Sequence, residues 1–318
     1  MTLLFNLQTI LTIILIAGLS VQCGALLAKR SFCGTAAPDE SLRAEHRRLN
    51  DVYSQQDTSK ESNREAVTSI EIETWFHIVS SKAAANTVSD EMITSQLSYL
   101  QEAYQSATIT YRLKGVTRHV NDSWARNDDE LGMKNALRMG NYSTLNVYFQ
   151  TDLQASSDGG SRASPEDADS RTDVSDQSSN VLGFCTLPDP SVNASSPRSS
   201  YIKDGCNVLA KTMPGGSLAQ YNQGGTAVHE IGHWNGLLHT FEGESCSPDN
   251  EGDYIDDTPE QSEPTSGCPT EKDSCPDLPG LDAIHNFMDY SSDDCYENFT
   301  PDQAQRMRSM WAAMREGK

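Results

Sequence analysis

Between His229 and His239 the chain reads His-Glu-Ile-Gly-His-Trp-Asn-Gly-Leu-Leu-His. His229 and His233 are four positions apart, so on a helix they share a face and both imidazoles reach one point. Imidazole nitrogen is a preferred zinc ligand, and a set of three protein ligands leaves a fourth position open for water, as in catalytic rather than structural sites. Glu230 adjoins the first histidine, where its carboxylate is placed to take a proton from that water. Gly236 allows an abrupt end to the helix, because glycine enters left-handed backbone at little cost. The chain then swings His239 back as third ligand. The alternative is a set of core histidines on an apolar face. With five positions fixed, chance supplies the pattern only about once in 10⁵ chains of this size.

A methionine lies beyond the third histidine, in Asn286-Phe287-Met288-Asp289-Tyr290. By itself a methionine followed by an aromatic residue is ordinary core packing. Together with the extended histidine spacing, it resembles the metzincin clan of zinc proteases. The resemblance implies that Met288 forms an apolar floor beneath the three imidazoles. It also implies that Tyr290 ligates the resting metal or stabilises the tetrahedral intermediate.

Longer runs narrow the likeness. HEIGHWNGLLHTFEG (residues 229–243), GDYIDDTP (252–259), Gly267-Cys268-Pro269 and NFMDYSSDDCYENFTP (286–301) resemble the pappalysin family, in particular its cytophagalysin-type secreted metalloproteases, common in fungi. The resemblance runs from about Ile70 to the C-terminus and is densest after Thr226. It implies an α/β (α+β) zincin fold with two subdomains. The upper, residues 66–236, would hold a twisted mixed five-stranded sheet and two long helices. The lower, residues 237–318, would be irregular, disulfide-rich and closed by a C-terminal helix.

The same resemblance pairs Cys246 with Cys275 and Cys268 with Cys295, where spacing alone allows three pairings of these four. Cys185 and Cys206 are then left as a third bridge. If a signal peptide is cut after Ala25, Cys23 is lost and Cys33 is the odd thiol. Cys33-Gly34-Thr35 resembles a motif near the start of these proenzymes, in which a thiolate takes the open zinc position and keeps the enzyme latent. A disulfide from Cys33 to Cys23 or to the catalytic domain is the rival reading. Asp253, Asp256 and Asp257 match a region where the family implies structural calcium, although an acidic solvated loop reads the same way. Asp294 matches a pocket position at which a carboxylate would favour Arg or Lys after the cut.

Elements must position these groups. Ile70, Ile72, Thr74, Phe76 and Ile78 alternate as in a half-buried strand. Ser89 caps a helix with Asp90 and Glu91 in its first turn and an apolar stripe of Ile93, Leu97, Leu100 and Tyr104. Ile109, Tyr111 and Leu113 alternate again, Asp128–Met139 reads as a helix closed by Gly140, and Leu145–Phe149 as a strand. This succession implies a mostly parallel sheet. Residues 155–180 are rich in Ser, Asp and Gly and read as a flexible insertion. Thr300 to Gln303 spell a capping box that opens a last helix with Met307, Met310, Trp311 and Met314 on its apolar face.

The N-terminus reads as leader and pro-segment. Residues 1–25 form an uncharged apolar run followed by small residues, as in a secretory signal peptide, with an uncleaved anchor as alternative. Residues 26–65 are polar, with one short helix (Glu40–Leu49) and little to form a core; Lys29-Arg30 is either a processing site or a pair of solvated charges. Eight cysteines suit an oxidising compartment, and sequons at Asn121, Asn141, Asn193 and Asn298 are glycosylation candidates. A net charge of −21 speaks against a nucleic-acid partner. The sequence therefore points to a secreted zinc endopeptidase acting on proteins or peptides, without membrane attachment after leader removal. Competing readings are a zinc- and calcium-binding module that has lost catalysis, which would be expected to lose Glu230 first, and a metallo-amidase. Substrate would pair with a sheet edge placed between Ser199 and Leu218.

Overall fold

The computed structural model describes residues 32–57, 69–155 and 181–318. The leader, Cys23, the Lys29-Arg30 pair and residues 156–180 of the insertion lie outside the described residues.

The first helix, α1 (Glu40–Asp57), is followed by strand β1 (Ile70–Ser80), helix α2 (Asp90–Ala103) and strand β2 (Ile109–Val120). Two short helices, α3 (Asp122–Ala125) and α4 (Glu130–Leu137), lead to β3 (Leu145–Gln150). Strands β4 (Gly183–Cys185) and β5 (Cys206–Leu209) complete one five-stranded sheet in the order β2-β1-β3-β5-β4. All pairings are parallel except that of β4 with β5. The alternation read in β1 is real at its start, where Glu71 and Glu73 are exposed and Ile72 and Thr74 buried; from Phe76 on both faces are covered.

The Ser89 side chain accepts from Met92 N at 3.3 Å and opens α2, which buries Ile93, Gln96 and Leu100. Where the sequence reads a helix over Asp128–Met139, the chain forms α4, and Gly140 just beyond it takes left-handed backbone at φ 72°. Asn127, at φ 69°, separates α3 from α4, and Asp129 caps α4. Arg138 leaves the helix and donates to Asp204 Oδ2 at 3.1 Å.

The sheet edge differs from the expectation. The strand within 199–218 is β5, which is interior, and the edge on its side of the sheet is β4. The cause is local: after β4 the chain returns antiparallel through β5, and the Cys185–Cys206 disulfide ties the two strands at a register pair.

The last third is largely irregular and held by disulfides Cys246–Cys275 and Cys268–Cys295. It ends in helix α6 (Pro301–Met310), whose capping box joins Thr300 and Gln303 reciprocally, and a π turn over Trp311–Arg315.

The N-terminal helix is longer than the sequence suggests and is not coreless. Leu42 and Leu49 pack with Met310 and Met314. The Arg306 guanidinium donates to His46 Nδ1, to Asn50 Oδ1 and, at 2.8 Å, to the Tyr254 carbonyl. Among the described residues no helix is long and apolar enough to cross a membrane.

Candidate active site

Helix α5 (Gly225–Trp234) runs beneath the β4 edge, and all ten of its residues are buried. Its entry is set by Gly224 at φ 102° and by the buried Asp293 carboxylate, which accepts from Gln223 N at 2.6 Å and more weakly from Gly225 N at 3.4 Å. Burial pushes that carboxyl up to about 6. Its exit is set by Gly236, at φ 92°, whose N–H donates to the His233 carbonyl at 2.8 Å. A side chain there would also meet Met310 Cγ at 2.7 Å. The turn carries His239 back under the helix.

The three imidazoles converge. His233 Nε2 lies 3.2 Å from His229 Nε2 and 3.1 Å from His239 Nε2. The opposite nitrogens decide the tautomers. His229 Nδ1 is 2.7 Å from the Phe287 carbonyl and His233 Nδ1 is 2.8 Å from the Leu237 carbonyl. A carbonyl only accepts, so both Nδ1 atoms carry hydrogen and both Nε2 atoms present lone pairs to each other. Burial, with the neighbouring histidines, holds His229 and His233 well below the usual imidazole range and so in the neutral, ligating form. Lone pairs facing at this range repel unless a cation lies between them. Ligand atoms of a tetrahedral zinc with 2.0–2.1 Å bonds stand about 3.3 Å apart, so the cluster fits that metal.

A fourth ligand atom joins the cluster from far along the chain. Cys33 Sγ and the three histidine nitrogens lie within 4.8 Å of one another. The Cys33 segment lies along β4: Leu182 N donates to the Phe32 carbonyl at 2.9 Å and Gly34 N to the Gly183 carbonyl at 2.8 Å, in a parallel bridge.

Glu230 is fully buried, and burial pushes its carboxyl up to about 8. Its Oε2 accepts from Cys33 Sγ at 3.3 Å and from Thr35 Oγ1 at 3.1 Å. A nearby dication would draw the carboxyl back toward its ionised form. Met288 is buried beneath the helix, and a Cβ on Gly232 would stand 2.4 Å from its sulfur, so that contact requires glycine. The Tyr290 hydroxyl is 3.1 Å from His239 Nε2.

The remaining residues singled out in the sequence fall in three places. Asp253, Asp256 and Asp257 line one surface cavity, but they differ in state. Asp253 is buried, accepts from Thr258 Oγ1 and Ile255 N, and is pushed up to about 8 by burial. Asp257 accepts from Asp302 N, and Asp256 is exposed. Asp294 is exposed and accepts from Ser292 Oγ. In the sequons, Asn121, Asn141 and Asn193 each accept through Oδ1 from the amide two residues on, at 3.0, 3.2 and 2.9 Å, and Asn298 is exposed. Two members of the site escaped the sequence reading. Thr35 was visible as the third residue of the Cys-Gly-Thr motif. Gly183, against which Glu230 packs, carries no signal in the sequence.

Residues 171–312 match the family described as pregnancy-associated plasma protein-A. An extracellular metalloprotease of Aspergillus oryzae is 65% identical over 96% of this chain and 97% of its own length. One from Aspergillus fumigatus is 62% identical over 96% and 97%. Among solved structures, promirolysin of Tannerella forsythia shares the fold, with a TM-score of 0.60 at 24% identity over 90% of this chain and 95% of that one. With the histidine cluster and the mixed five-stranded sheet already in place, these likenesses settle the assignment: the chain belongs to the pappalysin family and is an extracellular metalloendopeptidase.

Proposed function

We propose that the chain hydrolyses peptide bonds with zinc held by His229, His233 and His239 and with Glu230 as general base, and that residues up to about 65 are a pro-segment whose Cys33 keeps the enzyme latent. The observation that carries this reading is the tautomer-fixed convergence of lone pairs beside a buried carboxylate. Zinc, when bound, supplies a Lewis acid for the scissile carbonyl and lowers the pKa of water.

The chain's own groups do the rest. The Phe287 and Leu237 carbonyls hold the two helix imidazoles in the ligating tautomer. Glu230, in its dry setting, accepts a proton from the attacking water and passes it to the leaving amine. The Tyr290 hydroxyl donates to the developing oxyanion. The β4 edge pairs with substrate backbone; the Phe32–Gly34 segment, bonded to Leu182 and Gly183, supports that role. Calcium is proposed at the Asp253, Asp256 and Asp257 cavity, where a hard cation would suit carboxylate oxygens.

The test compares the full chain with Glu230→Ala on a denatured protein substrate, with and without a chelator, after a mercurial has lifted Cys33. Product peptides are read by mass spectrometry. Cleavage by the parent that disappears in the variant and under chelation is the expected result. A zinc-loaded, mercurial-treated parent that cuts nothing would leave a metal-binding module without this activity.

A further inference from the structure

Phe32 precedes the cysteine that reaches the histidine cluster, and only 6% of it is exposed. Its ring stacks on Tyr290, with centroids 4.6 Å apart and planes at 25°. It meets Tyr221 edge-on at 5.4 Å and His229 edge-on at 5.3 Å. These are the offset-stacked and T-shaped geometries in which aromatic rings attract beyond simple area burial. The backbone beneath is fixed by the Leu182 N–H on the Phe32 carbonyl.

We infer that the recess filled by Phe32 is the subsite for a substrate residue flanking the scissile bond, that Tyr221 is a specificity-determining residue, and that the favoured substrates are extended peptides with Phe, Tyr or Trp at that position. This rests on the protease reading above. The placement follows from two neighbours. His229, one wall of the recess, is among the three imidazoles around the metal position. Cys33, the residue next to Phe32, puts its sulfur within 4.8 Å of the imidazole nitrogens. A side chain lodged where Phe32 lies is therefore one residue from the reacting centre. Once the pro-segment leaves, the faces and edges of Tyr221, Tyr290 and His229 are open together, and a flat apolar ring restores the contacts that were lost. A small side chain leaves the recess wet, and a charged one gives up hydration against three rings. Asp294, which on family resemblance would draw Arg or Lys to the position after the cut, is exposed and engaged by Ser292 Oγ.

The test profiles cleavage of a mixed peptide library by the zinc-loaded, mercurial-treated full chain and by Tyr221→Ala and Tyr221→Phe. The parent is expected to enrich Phe, Tyr and Trp at one position adjoining the cut. In a matched pair of peptides differing only there, the ratio of kcat/KM for Phe over Ala should fall about tenfold in Tyr221→Ala and persist in Tyr221→Phe. Enrichment of Arg or Lys at both flanking positions, or an unchanged ratio in Tyr221→Ala, overturns the proposal. A parent that cleaves nothing overturns the protease reading and this subsite with it. Should Tyr221→Ala fail to fold, the untreated chain decides. Phe32→Arg should show about tenfold more residual hydrolysis than the parent while Phe32→Tyr stays latent, and equal latency in the two overturns the assignment.

Discussion

The Thr35 hydroxyl donates to Glu230 Oε2 at 3.1 Å and accepts from Cys185 N at 3.0 Å, so one side chain ties the proposed general base to the sheet edge. Cys33 Sγ reaches the same oxygen at 3.3 Å. The proposed latency would have two holds in this arrangement, one on the metal position and one on the base. A hydrogen bond to a charged group contributes about 1.5–3 kcal/mol. Thr35→Val should therefore raise the residual hydrolysis of the untreated chain about tenfold, and Thr35→Ser should leave it latent. A fluorogenic protein substrate reads both. If Val and Ser variants leak alike, the hydroxyl has no part in latency.

Gly183 sets where that base can lie. A Cβ built on it stands 2.6 Å from Glu230 Cγ and 3.0 Å from Oε1. The strand is stapled by Cys185–Cys206 and cannot back away freely, so the glutamate must move. Misplacing a reacting group by about 1 Å costs on the order of 10²-fold in rate. Gly183→Ala should lower kcat/KM by about that factor after activation while zinc content stays at one equivalent. Full activity would show that Glu230 has more room than the contact implies.

The histidine cluster was legible because helical periodicity turns a spacing of four into a shared direction, and because Gly236 announces the turn that returns His239. The β1, α2 and β2 segments were legible for the same reason: each buries one face, and Ile72, Leu100 and Ile109 mark it. Strand β4 was not legible. Three residues are too few to alternate, and its edge position comes from an antiparallel return that only the Cys185–Cys206 contact explains. Docking of α1 was hidden by its polar residues. His46 and Asn50 look like surface groups until Arg306, itself only 1% exposed, supplies their partner. The helix read over Asp128–Met139 stands as Glu130–Leu137, whereas the short helix before it, Asp122–Ala125, was not legible, because four residues are too few to show a period.

Asp204 joins the pieces that hold the far end of α5. Its carboxylate pairs with Arg138 at 3.1 Å and Arg315 at 3.0 Å, and accepts from Trp234 Nε1 at 3.1 Å. Arg315 in turn donates to the Trp234 carbonyl at 3.0 Å and lies 3.7 Å above its indole. All three ionic side chains are buried, at 4% exposure or less. Removing one partner of a buried set leaves the other charges uncompensated, which costs about 3–5 kcal/mol. Asp204→Asn should lose stability of that order in urea unfolding. A loss below about 1 kcal/mol would mean that water or another acceptor takes over.

His46 gives α1 a defined pH dependence. Burial, then the charges of Arg306 and Arg43, hold its imidazole down at about 3, against 6.5 when free. The Arg306 guanidinium donates to Nδ1, the Tyr254 ring stacks at 5.0 Å, and Nε2 has no partner among the described residues. The docked helix thus binds a proton less tightly than the released one. With the docked pKa depressed, the contribution is fully present above pH 6.5 and is lost progressively as the pH falls toward 3. At pH 5 docking should be about 30-fold weaker than above 6.5, since each unit below the free value costs about tenfold. The ion pair that α1 makes with the domain, Arg47 with Glu251, is half-exposed and contributes little at either pH. Hydrogen exchange compares the amides of α1 with those of β1 at pH 7 and pH 5, corrected for intrinsic rates. Protection should fall in α1 alone, and His46→Gln should flatten the difference. A pH effect that survives in His46→Gln would belong to another group.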